Sequence, residues 1–150
     1  MKERFETFTV LIAKISRSIR KIKNLEMAEY GLRNAHVSCL YYLYSSEPVT
    51  ATDLSEKCEE DKATISRAIE HLETNGYLTC ETEHAKRYKS PLILTEKGRE
   101  VARKIADKVK LVLDEIGVAL TEEERVEFYR SLAVISDGLD AICKRFDENE

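Results

Sequence analysis

The chain has 150 residues, room for one domain with a real core and little room for two. Hydrophobic residues make up 43% and charged residues 35%, with five Gly and two Pro, the balance of a helix-rich globular protein without a long flexible linker. No apolar run reaches the roughly 18 residues of a membrane span, and the N-terminus interleaves charges with its apolar residues unlike a secretory signal, so the chain reads as cytoplasmic.

From the N-terminus, Phe5, Phe8, Ile12, Ile15, Ile19 and Ile22 recur at gaps of three and four, a narrow stripe of the kind one helix presents to another. In "LRNAHVSCLYYLYSS", Val37, Leu40, Tyr41 and Tyr44 mark one face of a second helix. "EPVTATDLSEKC" predicts a turn and a short helix, with Thr50 as cap, Asp53 in its first turn and Leu54 as its apolar anchor. Asp61 caps the next helix, whose Ile65, Ala68, Ile69 and Leu72 fall on one face. Asn75-Gly76 ends it, with Gly76 in the left-handed position.

Beyond Gly76 the period changes to two. Leu78, Cys80 and Thr82 alternate with Thr79, Glu81 and Glu83, which predicts a strand. "HAKRYKS" is a basic loop, and "PLILT" a return strand that Pro91 places at a sheet edge. Thr95 caps a long helix over 96–118, with Val101, Ile105, Val109, Val112 and Ile116 on one face. "TEEE" is a capping box on Thr121 and Glu124. It opens a last helix striped by Phe128, Leu132, Ile135, Leu139, Ile142 and Phe146.

These elements predict a mainly α protein with a small two- or three-stranded β wing. A winged helix-turn-helix over 32–98 and the connecting helix over 96–118 lie between terminal helices, 1–30 and 119–150, that serve dimerisation. The whole chain, 1–150, reads as a single domain. The helix from Asp61 has a small, polar outer face suited to a major groove. Its DNA-facing candidates are Lys62, Ala63, Thr64, Ser66, Arg67, Glu70 and His71, with Arg67 placed for a bidentate contact to guanine. Lys86, Arg87 and Lys89 of the basic loop are candidates for backbone or minor-groove contact.

Charge counts against this reading. The formal net charge is −4, and residues 47–98 carry seven Lys/Arg against eleven Asp/Glu, while residues 1–27 carry seven against three. The acidic middle favours an alternative, a winged-helix protein-interaction module without DNA binding. An enzyme finds no support: Ser/His/Asp spacing, a glycine-rich phosphate loop and HExxH are all missing. No cysteine or histidine spacing predicts a metal, and no cofactor motif occurs.

"DKATISRAIEHLETNGYL" and "LILTEKGRE" resemble the recognition helix and the wing return of the MarR-type transcriptional regulators. The likeness covers about 32–118 by motif and the whole chain by helix order. It implies a homodimer joined through both chain ends, with one winged helix on each half of a pseudo-palindromic operator. It also implies repression relieved by a small phenolic or anionic effector bound between the DNA-binding and dimerisation parts. Arg17, His36, Tyr41 and Tyr44 are the candidates to line that pocket. The wing departs from the family: its usual Asp-x-Arg pair is absent, with His84 or Ala85 at the Asp place and Lys86 or Arg87 at the Arg place. Some relatives sense oxidants through a cysteine in the first helix, where this chain has none. A thiol-based redox sensor of the same fold is a further alternative. Cys39 and Cys80 read as apolar-face residues and Cys143 as a flank of the last stripe, while the acids beside Cys58 predict a raised thiol pKa.

Overall fold

The structure, a computed structural model, describes residues 2–46, 49–58, 60–81 and 89–148. In chain order these form α1 (Lys2–Glu26), a 3-10 turn (Ala28–Tyr30), α2 (Asn34–Ser45), α3 (Ala51–Cys58), α4 (Lys62–Thr74), β1 (Leu78–Cys80), β2 (Leu92–Leu94), α5 (Glu96–Gly117) and α6 (Glu122–Asp147). The chain divides into two compact units, 1–107 and 108–150. No helix among the described residues is long and apolar enough to cross a membrane.

In the first unit α2 is central, packed by α1, α3, α4 and β2. Contact on so many sides buries Val37, Ser38, Cys39, Leu40 and Leu43, a wider arc than the predicted stripe, and leaves Tyr41 and Tyr44 half-buried. Leu54 of α3, Ile65, Ala68, Ile69 and Leu72 of α4, and Val101, Ala102 and Ile105 of α5 complete the core. Met27 and Leu32, in the turn after α1, also belong to it. Gly31 between them takes φ +67°, a conformation a side chain would strain.

β1 and β2 pair antiparallel, with Leu78 opposite Leu94 and Cys80 opposite Leu92. Leu92 also bridges Val49, whose carbonyl accepts from the Leu92 N–H at 3.0 Å. Among the described residues the sheet has two strands, so β2 lies at its edge as Pro91 predicts, and the Leu92–Val49 bridge is an isolated one. Pro91 sits one residue before the strand, where no ladder donor is needed.

Local chemistry closes the helix ends. The Thr50 N–H donates to Asp53 Oδ2 at 2.8 Å, and the Asp53 N–H returns to Thr50 Oγ1 at 3.2 Å. The Thr50 hydroxyl also donates to Asp53 Oδ2 at 2.8 Å, and the bonds from the Thr50 backbone N–H first and its hydroxyl second hold the Asp53 carboxyl below its ordinary range. Thr121 and Glu124 make the same reciprocal box at α6, at 2.8 and 3.2 Å.

The exit of α4 is tied to the entry of α5. Gly76 at φ +76° lets its own N–H reach Glu73 O and the Tyr77 N–H reach Leu72 O, a Schellman ending. Thr95 then donates its hydroxyl to Gly76 O at 2.6 Å and accepts from the Gly98 N–H at 3.0 Å. Lys97 Nζ donates to Asn75 O at 2.8 Å and lies 4.3 Å from the Tyr77 ring centroid. A Cβ on Gly98 would stand 1.8 Å from Tyr77 O, so glycine alone permits this approach. The "NGY" and "LTEKG" motifs are two halves of one clasp that fixes α4 against α5.

The stripes of the terminal helices are exposed in the single chain. On α1, Phe8, Ile12, Ile15, Ile19 and Ile22 are each 39–49% exposed. In the second unit, α6 buries none of its described residues, and Phe128, Ile135, Leu139, Ile142 and Phe146 all stay exposed. Burial along α5 fades in step: Val109 and Val112 are half-buried, and Leu113 and Ile116 are exposed.

Candidate nucleic-acid interface

The apolar face of α4 sits in the core, and the opposite face is left open. Lys62, Ala63, Ser66, Arg67 and Glu70 are exposed, and Thr64 is half-buried at the helix start. Asp61 accepts from the Thr64 N–H at 2.8 Å and from its hydroxyl at 2.9 Å. Those two bonds, then the charge of Arg67, hold the Asp61 carboxyl below its usual range. Arg67 Nη2 in turn donates to Thr64 Oγ1 at 3.2 Å. The guanidinium thus starts from a preferred direction along the outer face.

His71 departs from the outward placement expected of it. Its ring stacks on His36 of α2, with centroids 4.3 Å apart and planes 14° from parallel. His36 Nδ1 accepts from the Arg33 N–H at 3.1 Å, which places the ring proton of a neutral His36 on Nε2. Burial first, then the neighbouring His71 and Arg33, push His36 below the ordinary imidazole value. The pair is a contact between α2 and α4 more than a free groove-facing group.

Lys89, at the return of the wing, is exposed. Lys86 and Arg87, with His84 and Ala85 at the place of the missing Asp, lie outside the described residues.

A cavity of about 300 Å³ opens in the first unit, between α1 and the α2–α3 region. Ile12, Ile15 and Ile19 form its apolar wall, and Arg20, Lys23, Asn34, Ser38, Cys58 and Glu60 its polar one. Lys23 Nζ donates to Ser38 Oγ at 2.9 Å, and Asn34 Nδ2 to Glu60 Oε1 at 3.2 Å. Glu60 also meets Arg20 at 4.0 Å. Burial lowers the Lys23 pKa, opposed by the nearby Cys58 and Glu60. None of Arg17, His36, Tyr41 and Tyr44 lines this cavity. Arg17 is exposed on α1, and Tyr41 packs edge-on against Tyr42. The sequence signal that would have found the cavity is the recurrence of Ser16, Arg20 and Lys23 beside the α1 stripe.

Cys58 overturns its expectation. The neighbouring Cys39 thiol lowers its pKa, with the Lys23 charge acting the same way, against burial and Glu60. Acids near in sequence count for less than a thiol and an ammonium brought from α2 and α1. Cys58 and burial raise Cys39.

A family model described as a winged helix DNA-binding domain matches residues 35–113. The chain is 28% identical over 90 residues to YybA of Bacillus subtilis (strain 168), an HTH-type transcriptional regulator; the match spans 60% of each protein. The structure is similar to NMB1585, a MarR family regulator from Neisseria meningitidis, with TM-score 0.80 and 19% identity over 98% of this chain and 99% of that one. It is also similar to a MarR family protein from Listeria monocytogenes complexed with 26mer DNA, with TM-score 0.77 and 24% identity over 85% of each chain. With the family model spanning more than half of its residues, the protein belongs to the winged helix DNA-binding domain family and has the fold of the MarR-type regulators.

Proposed function

We propose that this protein is a cytoplasmic, homodimeric transcription regulator, not an enzyme, that binds a two-fold symmetric duplex site and represses until a small effector releases it. The observation that carries the reading is α4: its apolar face is buried, its Asp61 cap is made, and Lys62, Ala63, Ser66 and Arg67 remain on its open face. The Listeria protein, complexed with DNA, supports a duplex partner for this fold. The exposed stripes of α1 and α6 support a second copy of the chain as their cover, since water-exposed apolar rows of this length mark interaction surfaces. The cavity's Lys23, Arg20 and Ser38 facing three isoleucines suit an effector with an anionic head and an apolar body.

Selection of bound duplexes from a random pool tests the reading, and a two-fold symmetric motif is the expected result. On that motif Arg67→Ala weakens binding by about 1–3 kcal/mol and relaxes one base position. The acidic middle predicts a shallow salt dependence, because each phosphate contact contributes roughly 0.9 to the slope. Recovery of no enriched motif would favour the protein-interaction module instead.

A further inference from the structure

Glu60 lies between α3 and α4, one residue before the Asp61 cap, and its side chain reaches both α1 and α2. Asn34, the first residue of α2, donates from Nδ2 to Glu60 Oε1 at 3.2 Å. The Asn34 N–H donates in turn to Oδ1 of Asn24, near the end of α1, at 2.7 Å. Arg20, one turn earlier on α1, meets the same Glu60 oxygen at 4.0 Å. Beyond the Glu60–Asp61 peptide, Asp61 holds Thr64 and Thr64 holds Arg67. A line of polar contacts, joined by one stretch of backbone, thus runs from α1 through the start of α2 to the outer face of α4. Part of that line is also cavity wall. Arg20, Asn34 and Glu60 line the space of about 300 Å³, with Lys23 and Ser38 beside them and three isoleucines opposite. The described lining therefore holds two cations, Arg20 and Lys23, and a carboxylate that already occupies one of them.

We propose that Glu60 couples this cavity to α4: a carboxylate ligand takes Arg20 from Glu60, and the turn that carries the Asp61 cap loosens. The inference rests on the effector reading above and names the residue through which the effector acts. Two carboxylates in one small site repel each other, and both seek the same guanidinium. The ligand therefore binds better when Glu60 has moved off, and a ligand shifts an equilibrium only through such a difference in affinity. Withdrawal of Glu60 pulls on Asn34 on one side and on the Asp61 peptide on the other. The Asp61 carboxylate holds the Thr64 N–H, and its carbonyl accepts from the Ile65 N–H at 3.1 Å, so the first turn of α4 responds. Linkage makes the effect reciprocal: whatever fixes that turn opposes the ligand to the same degree. Glu60 is thus a positioning residue, acting on Arg67 through Asp61 and Thr64.

The test uses the full chain with benzoate, an anion on an apolar ring, and benzamide, its neutral counterpart. Binding is read by calorimetric titration, and the first turn of α4 by amide hydrogen exchange at Thr64 and Ile65, both without DNA. In the unaltered chain benzoate is expected to bind, benzamide to bind far less, and benzoate to speed exchange at the two amides. Glu60→Gln keeps an acceptor oxygen for Asn34 and removes the competing charge. It is expected to bind benzoate roughly fivefold or more tightly, with exchange at Thr64 and Ile65 no longer responding. Arg20→Gln, which removes the contested cation, weakens benzoate. A merely structural Glu60 gives a different pattern: faster exchange in Glu60→Gln without ligand, and no gain in affinity. That pattern overturns the proposal, as do a failure of benzoate to bind, equal binding of benzamide, full affinity in Arg20→Gln, or exchange unmoved by bound benzoate. On a duplex recovered by selection, benzoate then releases the unaltered chain and spares Glu60→Gln. A selection that recovers no motif removes the DNA reading alone, because titration and exchange judge the Glu60 coupling without it.

Discussion

In α4, Ile65, Ala68, Ile69 and Leu72 are buried by their own chain, whereas in the α6 stripe Phe128, Ile135, Leu139, Ile142 and Phe146 are exposed and Leu132 is half-buried. Both helices show apolar residues at gaps of three and four, and both start from a side-chain cap that the residue three positions on completes. The periodicity states that a face requires cover. It does not state whose side chains supply it. For α4 the cover is α2, α3 and β1, which are close in sequence. For α6 no described residue is buried within the single chain, and a partner copy is the cover we propose.

This contrast is sharpest at two leucines. Leu72 is 0% exposed, and Leu72→Ala costs about 2–5 kcal/mol whatever the protein concentration. Leu139 is 49% exposed in the single chain, so Leu139→Ala lowers stability only where chains associate. Thermal unfolding over a roughly hundredfold dilution separates the two, because a dimer's midpoint moves with concentration and a monomer's does not. An equal, dilution-independent loss at both positions would erase the difference between the helices.

Two glycines extend the same comparison at lower energy. Gly98→Ala forces a methyl into Tyr77 O, a backbone atom that cannot turn aside, and costs roughly 1–3 kcal/mol. A Cβ on Gly138 of α6 would meet nothing within 4 Å, so Gly138→Ala gains about 0.5–1 kcal/mol from helix propensity alone. Urea unfolding of the two variants is expected to give opposite signs.

The smallest effect concerns pH. His36 has a lowered pKa in the folded chain, so the unfolded chain binds a proton more readily as the pH falls through the ordinary imidazole value of about 6.5. Stability is therefore full above that value and declines below it, down through the folded pKa. Asp53 and Asp61 act in the same direction at lower pH, in the carboxylate range. His36→Gln is expected to flatten the decline between about pH 6.5 and 5 and leave the acid limb unchanged, as read from melting temperature against pH. An unaltered decline would assign it to another group.

Much of the fold was legible because its signals are local. Thr50 with Asp53, Asp61 with Thr64, Thr95 with Gly98 and Thr121 with Glu124 each lie three residues apart, within reach of one helical turn. The open face of α4 followed from the same turn geometry, once Ile65, Ala68, Ile69 and Leu72 were assigned inward. Tyr41 and Tyr44 fall on the face that periodicity marks because periodicity treats α2 as one-sided, whereas four neighbours enclose it.

Where helices start and stop, which faces are apolar, and that a Gly-aromatic exit leads on to a Thr-capped helix could all be read from the order of residues. Bonds and turns spanning a few positions settle such features. That Lys23 reaches Ser38 and that His71 stacks on His36 became visible only once the helices were packed. Those pairs depend on how whole helices cross. For Cys58, a thiol and a cation brought from other helices outweigh the acids beside it in the chain, and that reversal sets the direction of its pKa.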